Sequence, residues 1–209
     1  PVIAGGAINL TAGGTLSVPG GTSATAGTTL TLAGPQLALS GNLTAPNVTL
    51  TATSGDITQD AGRIAWTGTA NLVSPAMIRQ AGGVLAGAPG AILIGGAGTA
   101  MSMTSPGNLV PRLGPFSAGS GLALTAAGDV TVAGPLAAGS GTLALFAGGT
   151  LTLLAVPVTA TVATLGAGAS VIQQPGSAIT IGGPLDIAAG LDIALHGAAS
   201  ANPVRLSAG

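Results

Sequence analysis

Short runs in which an aliphatic residue alternates with threonine, alanine or another small residue recur along the whole chain. This period of two is typical of β-strands with one buried face, here with Leu, Ile and Val inward and Thr outward. Helical periodicity is not sustained anywhere, and 37 glycines in 209 residues would make a long helix costly. The pattern therefore predicts an all-β protein. The clearest runs are 8–11, 29–32, 48–51, 129–132, 150–153 and 179–181.

The runs return roughly every 20 residues, a spacing that indicates a repeat architecture. The best-matched pair of units is 121–132 and 141–152, and Gly-Pro or Pro-Gly turns such as 19–20, 34–35 and 134–135 fall between strands. A unit this short cannot bury an apolar face alone, so successive units must stack on one another. We therefore predict one parallel β-solenoid over residues 1–209, with about ten coils of roughly 20 residues each.

The segment 98–119 fits the repeat worst, because it carries Pro106, Pro111, Pro115 and Phe116 among few alternating positions. We expect it to leave the coil as a longer loop. A β-sandwich or jelly roll would also give many short strands, but it would not require the repeat and would normally hold more aromatic residues in its core. The solenoid is the preferred fold.

Composition narrows the range of partners. Charged residues make up 4% of the chain and aromatic residues 1%, the formal net charge is −1, and Lys, Glu, Tyr and Cys are absent. Such a chain offers no electrostatic attraction to nucleic acid, and it has no run of about 20 apolar residues that would span a membrane. A nearly uncharged surface favours association.

Two motifs resemble a known family. The segment 122–131, Leu-Ala-Leu-Thr-Ala-Ala-Gly-Asp-Val-Thr, resembles the repeats of filamentous-haemagglutinin-like exoproteins of two-partner secretion systems. A second motif places an aliphatic residue, any residue, Gln, a short Gly turn and another aliphatic residue in series, at 55–64, 77–84 and 171–179. The resemblance implies a right-handed parallel β-helix that forms the shaft of a secreted bacterial adhesin. The secretion module of that family is not recognisable here, so we expect part of a shaft or a shortened relative.

Residues that could carry chemistry are few. Asp186 and Asp192 could form a carboxylate pair of the kind that glycosidases use, but only His196 stands near them, and we interpret both as exposed solubilising residues. Asp56 is predicted to cap the turn after Gly55, with Arg63 as its partner across the bend. One histidine and no cysteine make a metal site unexpected. We predict no enzyme, no catalytic residue, no cofactor and no metal.

The alternation also predicts where apolar side chains reach the surface. If Leu143 and Leu145 face the core, Phe146 points outward, and the same parity places Leu93 and Leu154 outside. These three residues, Leu93, Phe146 and Leu154, form the predicted self-association surface. The end coils of a solenoid expose strand edges, and the absence of Lys or a cap helix leads us to expect head-to-tail addition as well.

We therefore expect a structural subunit or shaft segment of a secreted bacterial surface or matrix fibre, acting in adhesion or biofilm. Its main partner is itself, with cell-surface carbohydrate as a further partner. The alternative is a solenoid that binds ice or carbohydrate through outward threonines, as at 29–31, 49–51 and 150–152. This alternative is weaker because Thr-x-Thr does not recur in fixed register along the sequence.

Overall fold

The computed structural model describes all residues from Pro1 to Gly209, and every regular element in it is a β-strand. The first half contains β1 (Val2–Ala4), β2 (Ile8–Thr11), β3 (Thr15–Val18), β4 (Ser23–Ala26), β5 (Thr29–Gly34), β6 (Gln36–Leu39), β7 (Asn42–Ala45), β8 (Asn47–Ala52), β9 (Ile57–Gln59), β10 (Arg63–Trp66), β11 (Thr69–Ser74), β12 (Ile78–Gln80), β13 (Val84–Gly87), β14 (Ile92–Ala97) and β15 (Ala100–Met103). The second half contains β16 (Arg112–Ala118), β17 (Gly121–Ala126), β18 (Val130–Val132), β19 (Leu136–Ala137), β20 (Thr142–Ala147), β21 (Leu151–Leu153), β22 (Pro157–Ala160), β23 (Val162–Ala167), β24 (Val171–Gln173), β25 (Ala178–Ile181), β26 (Leu185–Ala189), β27 (Ile193–Leu195), β28 (Ala198–Ser200) and β29 (Val204–Ala208).

Consecutive strands wind into stacked coils, and all pairing between coils is parallel. Coils 1 to 5 take three strands each, from β1–β3 to β13–β15. Coil 6 holds β16 and β17, and coils 7 to 10 take three strands each from β18 to β29. Leu43, Ile64 and Leu85 are register partners in successive coils, 21 residues apart. The predicted all-β solenoid is confirmed, with about ten coils of about 21 residues.

One hydrophobic core of 54 buried residues runs through the stack from Ile8 to Ala189. The pleat explains its composition, because alternate side chains of each strand point to opposite faces. In β5, Leu30 and Leu32 are 0% exposed while Thr29 and Thr31 lie on the outer side. The coils thus present aliphatic residues inward and small or hydroxyl residues outward, as the alternation predicted.

The three sheets do not run equally far. Sheet A (β1, β4, β7, β10, β13) ends in coil 5, and only the bridge between Ala86 and Leu109 extends it. Sheet B begins as β2, β5, β8, β11, β14 and divides at β16, where Arg112 and Leu113 pair with β18 while Phe116 and Ser117 pair with β19. Sheet C runs from β3 to β29 through all ten coils. The chain keeps three sides because sheet B divides where sheet A stops.

One inserted residue explains the division. The register between β14 and β16 shifts between Leu93 and Gly95, where Gly114 and Pro115 stand opposite the single residue Ile94. Proline has no N–H for the ladder, so the strand bends there. In the next coil Gly134 lies directly over Pro115, where a Cβ would sit 2.4 Å from the proline nitrogen. The new corner is therefore repeated from coil 6 to coil 7.

The expected excursion at 98–119 is wrong for most of its length. β15 pairs with β12 and β17, and β16 pairs with β14, so both strands belong to the coil. The one long stretch without a strand is 104–111, and within it Leu109 still bridges to Ala86. The prolines fall at the turn, before β16 and at the new corner, which are places where no ladder hydrogen bond is needed.

Candidate self-association surface

The structure places only one of the three predicted surface residues fully outside. Phe146 is 48% exposed on sheet C, with Leu143 and Leu145 buried beneath it, as the alternation predicted. Leu93 is 0% exposed, so its predicted exposure is wrong. Leu93 is in register with Ala70 and Leu113, which are also 0% exposed, and these neighbours set it on the core side.

Leu154 is half-buried rather than fully exposed. It follows the last residue of β21 at a corner of the coil, and its N–H donates to Val132 O at 3.0 Å. The chain bends there, so strand parity no longer decides where the side chain lies. Leu93, Phe146 and Leu154 therefore do not form one surface.

The Phe146 ring lies across Gly166 of the next coil. A Cβ at position 166 would come within 2.7 Å of ring atom Cδ2, so any larger residue would displace the ring. Around it, Ala123, Thr125 and Thr164 line a shallow cleft of about 120 Å³. Phe146 is thus a single exposed aromatic side chain on sheet C, and its immediate neighbours there are small and uncharged.

The largest concave surface lies on the outer side of sheet A, where that sheet ends. Two adjoining hollows of about 400 and 250 Å³ share Gly87, Pro89 and Leu109. We call the pair the sheet A groove. Ala65 and Ala86 lie on the outer side of sheet A, while Leu109, 47% exposed, continues the same column in coil 6. The remaining lining includes Arg63 in coil 4 and Asp129 in coil 7, and the larger hollow reaches back to Ala26 in coil 2.

Trp66, the only tryptophan, contributes to the lining of this groove although it is only 1% exposed. Its indole ring packs under Gly87, where a Cβ would lie 2.9 Å from Cζ2. The indole Nε1 is buried without a hydrogen-bond partner. Trp66 therefore joins the core to the floor of the groove.

The glutamines of the second repeat motif are buried and hydrogen bonded. Gln59, Gln80 and Gln173 are at most 7% exposed, and the Nε2 of Gln59 donates to Gly62 O and Val84 O at 3.3 Å each. Gln80 Nε2 lies 3.2 Å from Gln59 Oε1 and also contacts Asn108. The motif thus supplies amides that bind turn carbonyls inside the solenoid, a structural role. Asn108 was missed because it belongs to no repeat of the motif.

The charged residues are spread along the solenoid rather than gathered at one place. Asp56 Oδ1 accepts a hydrogen bond from the Met77 N–H at 2.9 Å, so it caps a turn, but it pairs with the next coil and not with Arg63. The predicted Asp56–Arg63 partnership is wrong, because Arg63 lies on sheet A beyond the bend. The one ion pair joins Asp186 and Arg205 at 3.4 Å. No three His, Asp, Glu or Cys side chains converge as metal ligands would.

Outward threonines and asparagines align more regularly than the sequence suggested. On sheet B, Thr31, Thr49 and Asn71 are register partners in coils 2 to 4, and Thr29 pairs with Asn47 beside them. The Thr-x-Thr pairs themselves stay out of register, as expected, because Thr29 faces Asn47 and Thr51 faces Ala33. Only the single column of Thr31, Thr49 and Asn71 is aligned. Their sequence spacing varies because turn lengths vary, whereas strand pairing restores the alignment in space.

Comparison of this chain with known proteins identifies no relative. No protein-family model, curated protein sequence or solved structure significantly matches this chain. The chain also contains no helix of the length and apolarity that a membrane span needs. The ten-coil parallel solenoid is compatible with the β-helical shaft that the haemagglutinin-like motifs imply.

Proposed function

We propose that this chain is a structural shaft segment of a secreted bacterial surface or extracellular-matrix fibre, of the filamentous-haemagglutinin-like kind. The observation that carries the proposal is the continuity of the stack. Sheet C runs through all ten coils, and the core of 54 residues passes the division of sheet B without a break. At about 4.8 Å per coil, ten coils make a rod of about 48 Å.

The surface suits a passive, load-bearing element. Backbone hydrogen bonds between coils lie along the rod axis, so each coil is held by its neighbours. With charged residues at 4%, there is little electrostatic repulsion between copies. The exposed Phe146 and the sheet A groove offer apolar contacts for lateral association, and further coils, of the same polypeptide or of another copy, would stack on β1–β3 or β27–β29.

Electron microscopy of the purified chain tests this function. We expect rods a few nanometres wide that associate into filaments or bundles as the concentration rises. Monodisperse compact particles at high concentration would contradict the fibre role. Protease shaving of intact cells that make the protein tests display, since surface location predicts release of solenoid fragments without lysis.

A second function is favoured by the aligned hydroxyl and amide groups of sheet B. Thr31, Thr49 and Asn71 repeat at the coil spacing on the outer side of sheet B, which suits binding to a regular surface such as ice or a polysaccharide. Thermal hysteresis and pull-down with insoluble polysaccharides test this function. Thr49→Arg should abolish binding, and Thr164→Arg on sheet C should leave it unchanged. Absence of both activities in the wild-type chain excludes this candidate.

A further inference from the structure

Phe146 and the sheet A groove lie on different sides of the same rod. Phe146 stands on sheet C in coil 7, whereas the groove lies on sheet A and extends from coil 2 to coil 7. We call the exposed Phe146 side chain the knob. Because the knob and the groove lie on different faces, one contact between two copies leaves a free knob on one copy and a free groove on the other, so repetition of the contact gives an open array. This arrangement deepens the lateral self-association on which the proposed fibre function depends.

We propose that the sheet A groove receives Phe146 of a second copy, with the two rods antiparallel. The groove floor at Ala65, Ala86 and Gly87 is small and apolar, and its volume of about 400 Å³ exceeds that of a phenyl ring. The surface around Phe146 is compatible with this floor, because Ala123, Thr125 and Thr164 have short, uncharged side chains. The contact therefore desolvates apolar surface without burying a charge.

The positions of the charged residues determine whether the two rods lie parallel or antiparallel. On sheet C, the outward column through Ala144 reaches Arg79 three coils towards the N-terminal end and Asp186 two coils towards the C-terminal end. Relative to Gly87 in coil 5, Arg63 lies one coil towards the N-terminal end and Asp129 two coils towards the C-terminal end.

When Phe146 is seated at Gly87, antiparallel rods bring Asp186 towards Arg63 and Arg79 towards Asp129. Each pair is then offset by about one coil, or about 5 Å. Parallel rods would instead bring Asp186 to Asp129 and Arg79 towards Arg63, so like charges would meet. Arg63 and Arg79 form no ion pair within the chain, and both are exposed. Asp186 is paired with Arg205 of its own chain at 3.4 Å, and in the contact it exchanges this exposed partner for Arg63.

The decisive experiment separates knob from groove. Phe146→Ser removes the knob and keeps the groove, and Ala65→Arg blocks the groove and keeps the knob. By analytical ultracentrifugation, each variant alone should associate at least about tenfold more weakly than the wild-type chain. A 1:1 mixture should form dimers and stop there, because only one productive contact remains. Val73→Ser, at a 40% exposed apolar residue on sheet B, is the matched control and should associate like the wild type.

Charge exchange tests the antiparallel direction. Asp186→Arg should weaken association by about threefold to fivefold, and the further change Arg63→Asp should restore it. Each variant is first checked for a wild-type melting temperature, so that loss of folding is not read as loss of contact.

The outcomes separate this inference from the fibre function. If Phe146→Ser and Ala65→Arg form filaments as well as the wild type does, the contact between Phe146 and the sheet A groove is wrong, but the proposed fibre function is unaffected. A mixture that stays monomeric while the wild type assembles would also overturn this contact. A wild-type chain that never associates would overturn the inference together with the self-association in the proposed function. Failure of the double exchange to restore binding would overturn the antiparallel direction.

Discussion

Gln80 and Asn108 form a reciprocal pair of amide hydrogen bonds inside the solenoid. Gln80 Nε2 donates to Asn108 Oδ1 at 2.9 Å, and Asn108 Nδ2 donates to Gln80 Oε1 at 2.8 Å. Asn108 Oδ1 also accepts from the Leu85 N–H at 2.9 Å. These bonds connect coils 4, 5 and 6 at the level where sheet A ends, and they replace ladder bonds that a further strand would have supplied.

Replacing Asn108 should therefore destabilise the protein strongly. Asn108→Ala leaves Gln80 and the Leu85 N–H with unsatisfied buried groups, and we expect a loss of about 3 kcal/mol in the free energy of unfolding. Denaturant titration followed by Trp66 fluorescence measures it. Asn71→Ala is the control, because Asn71 lies on the outer side of sheet B without a side-chain hydrogen bond. Equal stability of the two variants would contradict the role given to Asn108.

Gly83 should tolerate no side chain. Its φ is +74°, and a Cβ would lie 2.5 Å from Gly62 O, in the turn that follows the buried Gln80. Gly83→Ala is expected to cost about 2 kcal/mol, from the left-handed backbone and the displaced turn. Gly13→Ala should have little effect, since nothing lies within 4 Å of its Cβ position. Thermal unfolding of the two variants measures the difference, and equal melting temperatures would contradict the tight packing at Gly83.

The alternation of side chains made the coil predictable, because a period of two with small turn residues leaves few other ways to bury Leu and Ile. Phe146 could be placed for the same reason, since Leu143 and Leu145 fix the parity of β20. Leu93 could not be placed. Ile92, Leu93 and Ile94 are all aliphatic, so the segment fits either parity, and only pairing with Ala70 and Leu113 selects one.

The sheet A groove could not be predicted from the sequence, for a different reason. It exists because sheet A ends while sheet B divides, and that division depends on the pair Gly114–Pro115 in one strand. The prolines near it suggested a loop, since proline interrupts strands far more often than it turns a corner within one. Asn108 is likewise a single polar residue, with hydrogen-bond partners in two other coils, so no local spacing indicates it.

Trp66 should report a dry environment. It is the only tryptophan and is 1% exposed, packed under Gly87 with its Nε1 unpaired. Emission should be shifted to the blue relative to free tryptophan, and acrylamide should quench it poorly until the chain unfolds. Emission typical of water in the native protein would contradict the packing of sheet A against the core.

The single ion pair should contribute little to the stability of one copy. Asp186 and Arg205 are 42% and 68% exposed, with the N and O atoms 3.4 Å apart. Asp186→Asn is expected to change the free energy of unfolding by less than about 0.5 kcal/mol. The melting temperature should also depend weakly on salt between 10 mM and 500 mM. A loss comparable to that of Asn108→Ala would show that this pair holds coils 9 and 10 together.

Proteases should first cut the chain within 104–107, where the coil lacks a strand. Thr104, Pro106 and Gly107 are exposed, whereas Asn108 and Val110 beyond them are buried. Exposed turns without ladder hydrogen bonds are the preferred sites of nicking. With a protease of broad specificity at low concentration, we expect two fragments that meet at this segment.

The two fragments should stay together after the cut. β14 pairs with β16 and β15 pairs with β17 across the nick, so the sheets and the core continue from one fragment to the other. Size exclusion in native buffer should give one peak at the position of the uncut chain, and denaturant should separate it into two. A first cut at the turn 88–91 would contradict the choice of 104–107 as the least protected segment. Fragments that separate without denaturant would mean that the coil 5 to coil 6 boundary is weaker than its hydrogen bonds indicate.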